Sequence, residues 1–254
     1  MTWIVLPGLA LTPEDFAPLA RALGSAADDV RVLDAWRTPV TGPVDAIRGT
    51  LGIDGSRPVR VVGHSVGGLA AIEWTLRYPE EVRRLVLLDP TSPWEPHVPA
   101  LHPGRPLARA GSAAARILAG ALAAAGPALR REAVRWVARG PDPLAADVAR
   151  SRYGVRATWP MLADEWFASW AQAPRVRALV DGGRRLPPEA SPLLVTGLRQ
   201  SARFLHEQRE LAERLGIPRV GLAGQGHLYP LTRPDVVARL ALGGGHGGRV
   251  SVVA

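Results

Sequence analysis

Short runs of apolar, often β-branched residues alternate along the chain with segments of helical periodicity. The apolar runs end at glycine, proline or aspartate, which is typical of strands buried on both faces of a parallel sheet. The predicted strands span residues 3–6, 30–33, 59–63, 85–89, 193–196 and 220–223, and the predicted helices span 13–24, 44–51, 66–78, 205–215 and 234–242. Strands that alternate with helices predict an α/β fold with a mostly parallel sheet wound by right-handed crossovers.

The alternation stops over residues 91–190, which are rich in alanine, arginine, proline and tryptophan. We interpret this segment as a helical cap inserted into a core made of residues 1–90 and 191–242, followed by a flexible tail over 243–254. Within the cap, residues 110–129 approach the length of a membrane span. Arg116 lies in the middle of that stretch and alanine is weakly apolar, so a cap helix with one buried face is the preferred interpretation and no membrane is predicted.

Composition limits the chemistry and the location. The 254 residues suit one large domain with an insertion, and 47% hydrophobic content supplies a sizeable core. The sequence has 0 cysteines, so disulfides, thiolate metal sites and a cysteine nucleophile are excluded and serine or carboxylate chemistry remains. The first ten residues lack the basic start and cleavage site of a signal peptide, which predicts a cytoplasmic protein.

The formal net charge of +8 raises the question of an anionic partner. Every basic residue is arginine, and lysine and asparagine are absent, which is typical of a GC-rich genome. The arginines are scattered among acids without a basic run, so nucleic-acid binding is not predicted. The cap holds 14 arginines and 8 acids. This excess is either a solvated surface or an attraction for an anionic substrate or an acidic carrier protein.

The pattern Gly63-His64-Ser65-Val66-Gly67 lies between a β-branched strand and a helix. The G-x-S-x-G pattern is a weak signal alone, but in this setting it is typical of a nucleophile elbow, a sharp turn that exposes the serine hydroxyl at the carboxyl edge of the sheet. An ordinary turn serine is the alternative. The sequence therefore predicts Ser65 as a nucleophile.

A serine hydroxyl needs a base and donors for the developing oxyanion. His227 follows the last predicted strand and so belongs at the same edge, whereas strand alternation turns His64 away from Ser65. The predicted donors are the amides of Val66, at a helix N-terminus, and Leu9, in the turn after the first strand. A structural histidine at 227 and a plain turn at Leu9 are the alternatives.

These motifs resemble the α/β-hydrolase superfamily, in its compact, capped bacterial branch. The resemblance rests on LPGL in the first turn, the GHSVG elbow, RLVLLDP and GQGHLYPLTRPDVV, and it covers residues 2–90 and 191–242. The chain departs from the family in having Pro7 where histidine is frequent. It also has no carboxylate at 197–201, where the family usually carries its acid.

We predict Asp89 as the acid that completes the triad. Glu207 is the nearest carboxylate after the strand at 193–196, but it lies too far along a helix. Asp89 ends the strand after the elbow helix, as the acid does in haloalkane dehalogenases, which this placement resembles. The alternative is that Asp89 caps the turn into the cap through Asp-Pro chemistry.

The resemblance implies a serine hydrolase that cleaves an ester, thioester or lactone of a mostly apolar small molecule, with no metal or organic cofactor. The same site could serve acyl transfer, cyclisation or elimination, or the fold could be a receptor with little turnover. Aromatic side chains of the cap either wall the substrate pocket or pack the cap's own core. The candidate substrate-binding residues are His64, Trp94, Trp159, Trp166 and Trp170, with Phe167 beside them.

Overall fold

A twisted sheet in the order β2-β1-β3-β4-β5-β6-β7 forms the centre of the protein in this computed structural model, which describes residues 1–24, 29–94, 98–243 and 250–251. Strands β1 to β6 are parallel and β7 is antiparallel to β6. The strands are β1 Thr2–Leu6, β2 Val30–Val32, β3 Val59–His64, β4 Val82–Leu88, β5 Leu193–Gly197, β6 Arg219–Leu222 and β7 Val250–Ser251. The predicted α/β fold with a mostly parallel sheet is confirmed.

Helices cover both faces of the sheet. They are α1 Ala17–Leu23, α2 Val44–Thr50, α3 Val66–Arg77, α4 Pro106–Ala138, α5 Ala146–Tyr153, α6 Thr158–Asp181, α7 Ala202–Leu215, α8 Tyr229–Thr232 and α9 Pro234–Ala241. Helix α7 begins earlier than predicted because the Ser201 hydroxyl accepts a hydrogen bond from the Phe204 amide and caps the helix. A 3-10 turn, Pro13–Phe16, precedes α1, and the short α8 was not predicted.

The core lies in two layers, one on each face of the sheet. Alternate residues of β1 show the division: Trp3 and Val5 belong to one buried cluster, and Ile4 and Leu6 belong to the other. This is the two-residue period of a strand. Because both faces are covered, most strand positions are apolar, with arginine in β2 and near the start of β3 and β4, which explains why the sequence pattern identified the strands.

The cap, residues 91–190, consists of α4, α5 and α6, with a 3-10 turn at Pro99–Leu101 before them and another at Pro188–Ala190 after them. Helix α6 has two roles: Phe167 faces α4, whereas Val176 and Val180 pack in the core cluster that contains α3. The end of the cap at residue 190 stays a prediction, but the second half of α6 packs as part of the core. The predicted tail lies mostly outside the described residues; within it, β7 pairs with Gly221 and Leu222.

Ion pairs fasten the cap to the core. Arg130 of α4 is buried and contacts Asp15 of the core at 2.5 Å, and it also contacts Asp142 within the cap at 3.1 Å. Arg152 of α5 bridges Glu14 and Asp34, at 2.8 and 3.1 Å. By length and hydropathy alone α4 could cross a membrane. Its buried ion pairs instead favour a helix docked on the protein.

Candidate active site

Ser65 lies in a strained turn between β3 and α3. Its backbone has φ 53° and ψ −122°, a conformation that a residue other than glycine adopts only where the surroundings impose it. The Ser65 amide donates to the Leu88 carbonyl at 3.0 Å, and the Ser65 carbonyl accepts from the amides of Gly68 and Thr91, both at 2.9 Å. Backbone bonds on both sides therefore hold the serine at the carboxyl edge of the sheet.

Two positions of the motif must be glycine because neighbouring backbone atoms leave no room for a side chain. A Cβ on Gly67 would lie 2.3 Å from the Leu6 carbonyl oxygen, and a Cβ on Gly63 would lie 2.6 Å from the Gly67 carbonyl oxygen. Both distances are far below van der Waals contact. The approach of Gly67 to the end of β1, and of Gly63 to the first turns of α3, explains the G-x-S-x-G spacing.

Two backbone amides lie beside Ser65. Val66 is the first residue of α3, and Leu9 lies in the turn that follows β1; both line one cavity together with Ser65. Neither amide donates to a backbone carbonyl of the described residues. The arrangement leaves two N–H groups available to an oxygen atom bound next to the Ser65 hydroxyl, as oxyanion stabilisation requires.

Asp89 directly follows β4 and is fully buried. Its Oδ1 accepts from the Gly197 amide at 3.0 Å and its Oδ2 accepts from Gln200 Nε2 at 3.3 Å. Burial raises the pKa of this carboxyl, while His227, Gly197 and Gln200 oppose the rise. All of these partners come from other segments, so the geometry favours a site carboxylate over a local Asp-Pro turn cap. Gly197 stands where the family's usual acid was expected.

His227 follows β6 in a loop that turns at Gly224, where φ is 72°. Its Nδ1 lies 3.4 Å from Asp89 Oδ2. The Phe204 ring packs edge-on to the imidazole, with ring centroids 5.9 Å apart. Both Ser65 and His227 are described, and their side chains are not hydrogen-bonded to each other. Catalytic hydrogen bonds are often long without substrate.

A cavity of about 250 Å³ opens at Ser65 under α6. Trp166 and Trp170 wall it, edge to face with ring centroids 5.9 Å apart. The Trp170 indole N–H is buried without a hydrogen-bond partner among the described residues. Sequence reasoning missed the other lining residues, of which three carry hydroxyls: Thr91, Ser92, Pro93, Ser169 and Ala173. The sequence could have indicated these residues, because they lie just after β4 or one helical turn from a predicted tryptophan of α6.

Comparison with known families is consistent with this geometry. A model of the alpha/beta hydrolase family matches residues 3–240. The chain belongs to the alpha/beta hydrolase family. A comparison with curated proteins found no match.

Solved structures share the fold of this hydrolase at low identity. A protein assigned as an epoxide hydrolase from Pseudomonas aeruginosa is 22% identical, with a TM-score of 0.66 over 95% of this chain and 87% of that one. The thioesterase domain from the curacin biosynthetic pathway is 15% identical, with a TM-score of 0.60 over 95% and 90%. The N-formylmaleamic acid deformylase from Pseudomonas putida S16 is 17% identical, with a TM-score of 0.53 over 93% and 90%. These similarities show the fold.

His64 does not line the cavity of the hydrolase, contrary to its place among the substrate-binding candidates. Its ring is buried, and Nε2 lies 3.0 Å from the His227 carbonyl oxygen. Burial, with a smaller effect of His227, lowers the pKa of His64 to about 3, so the ring is neutral. The strand's alternation directs the side chain beneath Gly8, where it links the first turn to the His227 loop.

Two of the predicted tryptophans also lie away from the cavity. Trp159 donates its indole N–H to the Tyr153 carbonyl at 3.2 Å and fills the contact between α5 and α4. Trp94 packs against the core cluster next to α3, with the Arg214 guanidinium 5.0 Å from its ring. Trp159 therefore packs within the cap and Trp94 packs against the core, as the alternative to a role in the substrate pocket proposed. Trp166 and Trp170 are the two that meet Ser65.

Proposed function

We propose that this hydrolase cleaves an ester, thioester or lactone of a mostly apolar small molecule through an acyl-enzyme on Ser65. The observation that carries the proposal is the meeting of three features: a strained serine that opens into a cavity, two amides beside it, and the Asp89–His227 pair at the same edge. Each feature has a defined role in acyl transfer. The proposed location is the cytoplasm.

In the proposed first step, Ser65 Oγ attacks the substrate carbonyl carbon while His227 Nε2 takes the hydroxyl proton. The carbonyl oxygen becomes negatively charged and accepts hydrogen bonds from the amides of Leu9 and Val66. Asp89, which faces Nδ1 of His227, fixes the tautomer of the neutral ring and stabilises the imidazolium that forms. When the tetrahedral intermediate collapses, the leaving group departs with the proton from His227 and the acyl group stays on Ser65.

In the second step, water attacks the acyl-enzyme while His227 takes a proton from it. Collapse of this intermediate releases the carboxylic acid and returns the proton to Ser65. No metal or organic cofactor has a part in this scheme. If an alcohol or amine of the substrate replaces water, the same intermediates lead to acyl transfer or cyclisation.

The surroundings of Ser65 favour a carbonyl substrate over an epoxide, although one structural neighbour is assigned as an epoxide hydrolase. Opening an epoxide occurs at a saturated carbon and forms no tetrahedral oxyanion beside the nucleophile. Two amides without a backbone acceptor, in residues that line the cavity with Ser65, serve carbonyl chemistry. The thioesterase and deformylase neighbours have names consistent with such chemistry. The cavity of about 250 Å³ suits a small apolar acyl group.

One observation favours the receptor alternative: the side chains of Ser65 and His227 are not hydrogen-bonded. A fluorophosphonate probe, which labels activated serines, separates the two functions. We expect labelling of wild-type protein and none of Ser65→Ala. Ser169→Ala is the matched control, because its hydroxyl lines the same cavity but donates to the Trp166 carbonyl; it should still be labelled. Folded wild-type protein that stays unlabelled would refute the hydrolase mechanism.

The substrate range follows from a second measurement. Purified protein is assayed with p-nitrophenyl esters of graded acyl length, and Ser65→Ala is the blank. We expect turnover of short and medium chains that fit the cavity. Equal rates for wild-type protein and Ser65→Ala would show that the observed hydrolysis does not use the elbow.

A further inference from the structure

A second opening, separate from the Ser65 cavity, reaches His227. It is a groove of about 1280 Å³ lined by the end of α4, the segment after β5 and His227. The groove and the Ser65 cavity have no lining residue in common. We call it the His227 groove; its lining includes Arg135, Trp136, Arg139 and Arg199. The catalytic residues thus face two compartments of different size and chemistry.

Positive charge dominates the His227 groove. Among the described residues that line it, three are arginines and one is an acid, Glu132. Arg135 contacts Glu132 at 3.2 Å, and Arg199 donates to the carbonyls at the end of α4. Arg139 is exposed and has no hydrogen bond or ion pair within the described residues. The groove therefore offers at least one guanidinium that an anion could bind without breaking a salt bridge.

Trp136 adds a second feature. Its side chain is 83% exposed, next to Arg135 at the rim of the groove. An exposed indole presents a flat face to planar or apolar groups. Arginine matches phosphate oxygens with paired hydrogen bonds. The combination fits an elongated ligand that carries phosphate.

The proposed mechanism places a different part of the substrate in each of the two compartments. His227 gives its proton to the leaving group, so the leaving group must lie on the His227 side, while the acyl group lies by the amides of Leu9 and Val66. We propose that the substrate is a small apolar acyl group on a phosphate-bearing thiol or alcohol, whose phosphate binds Arg139 in the His227 groove. This inference rests on the proposed function because the groove binds the leaving group of that reaction.

The test compares three leaving groups, of which the first two differ by one phosphate and the third adds an adenine nucleotide. The substrates are S-butyryl-pantetheine, S-butyryl-4′-phosphopantetheine and S-butyryl-coenzyme A. We expect kcat/KM to be about tenfold higher for the phosphorylated substrates, in line with one charge-assisted hydrogen bond, and to decline with salt. Arg139→Gln should bring the ratio close to one. A larger effect for coenzyme A than for phosphopantetheine would locate a nucleotide contact as well.

Arg57→Gln is the matched control, because Arg57 is exposed at the amino end of β3, the opposite edge of the sheet. It should keep the full ratio. Equal kcat/KM for all three substrates in wild-type protein would overturn the inference while p-nitrophenyl ester turnover still supported the proposed function. If no ester or thioester is turned over, titration calorimetry of free coenzyme A against wild-type protein and Arg139→Gln tests the groove by itself, and absence of binding overturns it.

A separate observation concerns the turn that carries the Leu9 amide. Ala10 has φ 59°, an unfavourable conformation for alanine. The Ala10 carbonyl accepts from the Tyr153 hydroxyl at 2.6 Å and from Arg130 at 3.5 Å. Tyr153 ends α5 and is buried. A cap side chain thus holds the strained turn in which an oxyanion donor lies.

The geometry points to Tyr153 as a positioning residue that keeps the Leu9 amide directed at the bound oxygen. Tyr153→Phe removes one hydroxyl and should lower kcat about tenfold on a short ester with KM little changed. A boronic acid that mimics the tetrahedral intermediate should bind more weakly by a similar factor. Tyr78→Phe is the control, because that hydroxyl bonds to Asp45 on the surface. Unchanged kcat and boronic acid affinity in Tyr153→Phe would overturn the assignment.

Discussion

The carboxyl edge of the sheet and the cap hold their functional side chains in different ways. At the edge, Ser65 and Asp89 both have positive φ, and their amides donate to strand carbonyls, those of Leu88 and Val195. In the cap, α4 leaves Ile117 80% exposed and is fastened through a few buried polar groups such as Arg130. Backbone hydrogen bonds hold the residues of the edge in place, whereas side-chain contacts attach the cap to the core. From this division we propose that the edge carries the chemistry and that the cap selects the substrate.

The largest expected effect is the loss of kcat in Asp89→Asn, which removes a carboxylate held at the edge. Loss of the carboxylate removes the tautomer control of His227 and the stabilisation of imidazolium, so kcat should decline on the order of a thousandfold or more. The amide oxygen of asparagine keeps the bond from Gly197, so the fold should stay intact. Steady-state kinetics on a short p-nitrophenyl ester and a thermal melt measure both.

Glu207→Gln is the control for Asp89→Asn. Glu207 pairs with Arg203 at 2.8 Å on the surface of α7 and has no contact with His227. We expect normal turnover from this variant. Near-normal turnover in Asp89→Asn would remove Asp89 from the triad.

Sequence was sufficient for the core because its strands are buried on both faces, so the second halves of β3 and β4 hold the apolar runs at residues 61–63 and 85–88, and arginine occurs only near the start of each strand. The elbow was equally clear because its glycines are required by close contacts, of Gly67 with the end of β1 and of Gly63 with α3. The cap was harder to predict: α6 serves the cavity at Trp170 and the core at Val176, so no single period describes it. His64 and Trp159 show the same limit, since an aromatic ring in sequence does not show which neighbour it will pack against.

Arg130→Met tests how the cap is fastened. The change leaves the carboxylates of Asp15 and Asp142 buried without their cation, and breaking a buried pair costs about 3–5 kcal/mol of folding free energy. Urea unfolding measures the loss. In Arg116→Met, the matched control, the broken pair with Asp164 is half exposed, so we expect a loss of less than about 1 kcal/mol. Equal losses of folding free energy in the two variants would contradict the expected difference between the buried and the half-exposed ion pair.

Glu165 of α6 makes the stability of the cap dependent on pH. Its carboxyl accepts from the Val40 amide at 2.7 Å, and burial raises its pKa from 4.5 to about 7. The folded state then binds more protons than the unfolded state between these values. The free energy of unfolding should therefore decline as pH rises from 4.5 to 7, by no more than about 3 kcal/mol. In Glu165→Gln this part of the pH dependence should disappear, whereas Glu132→Gln, at an exposed site, should keep it.

Trp170→Ala is expected to have the smallest effect, on specificity alone. The indole walls the cavity beside Ser65 but does not touch the Asp89–His227 pair, so its loss removes apolar contact that substrate and transition state share. Such a change raises KM with kcat nearly constant. We expect KM for p-nitrophenyl hexanoate to rise about tenfold, near the value of one lost apolar contact of 1–3 kcal/mol, while p-nitrophenyl acetate is little affected. Ile117→Ala, at an exposed residue of α4 that lines neither the cavity nor the His227 groove, should leave both KM values unchanged. An equal rise for acetate and hexanoate in Trp170→Ala, or loss of the folded state, would show that Trp170 supports the cap and does not select the acyl chain.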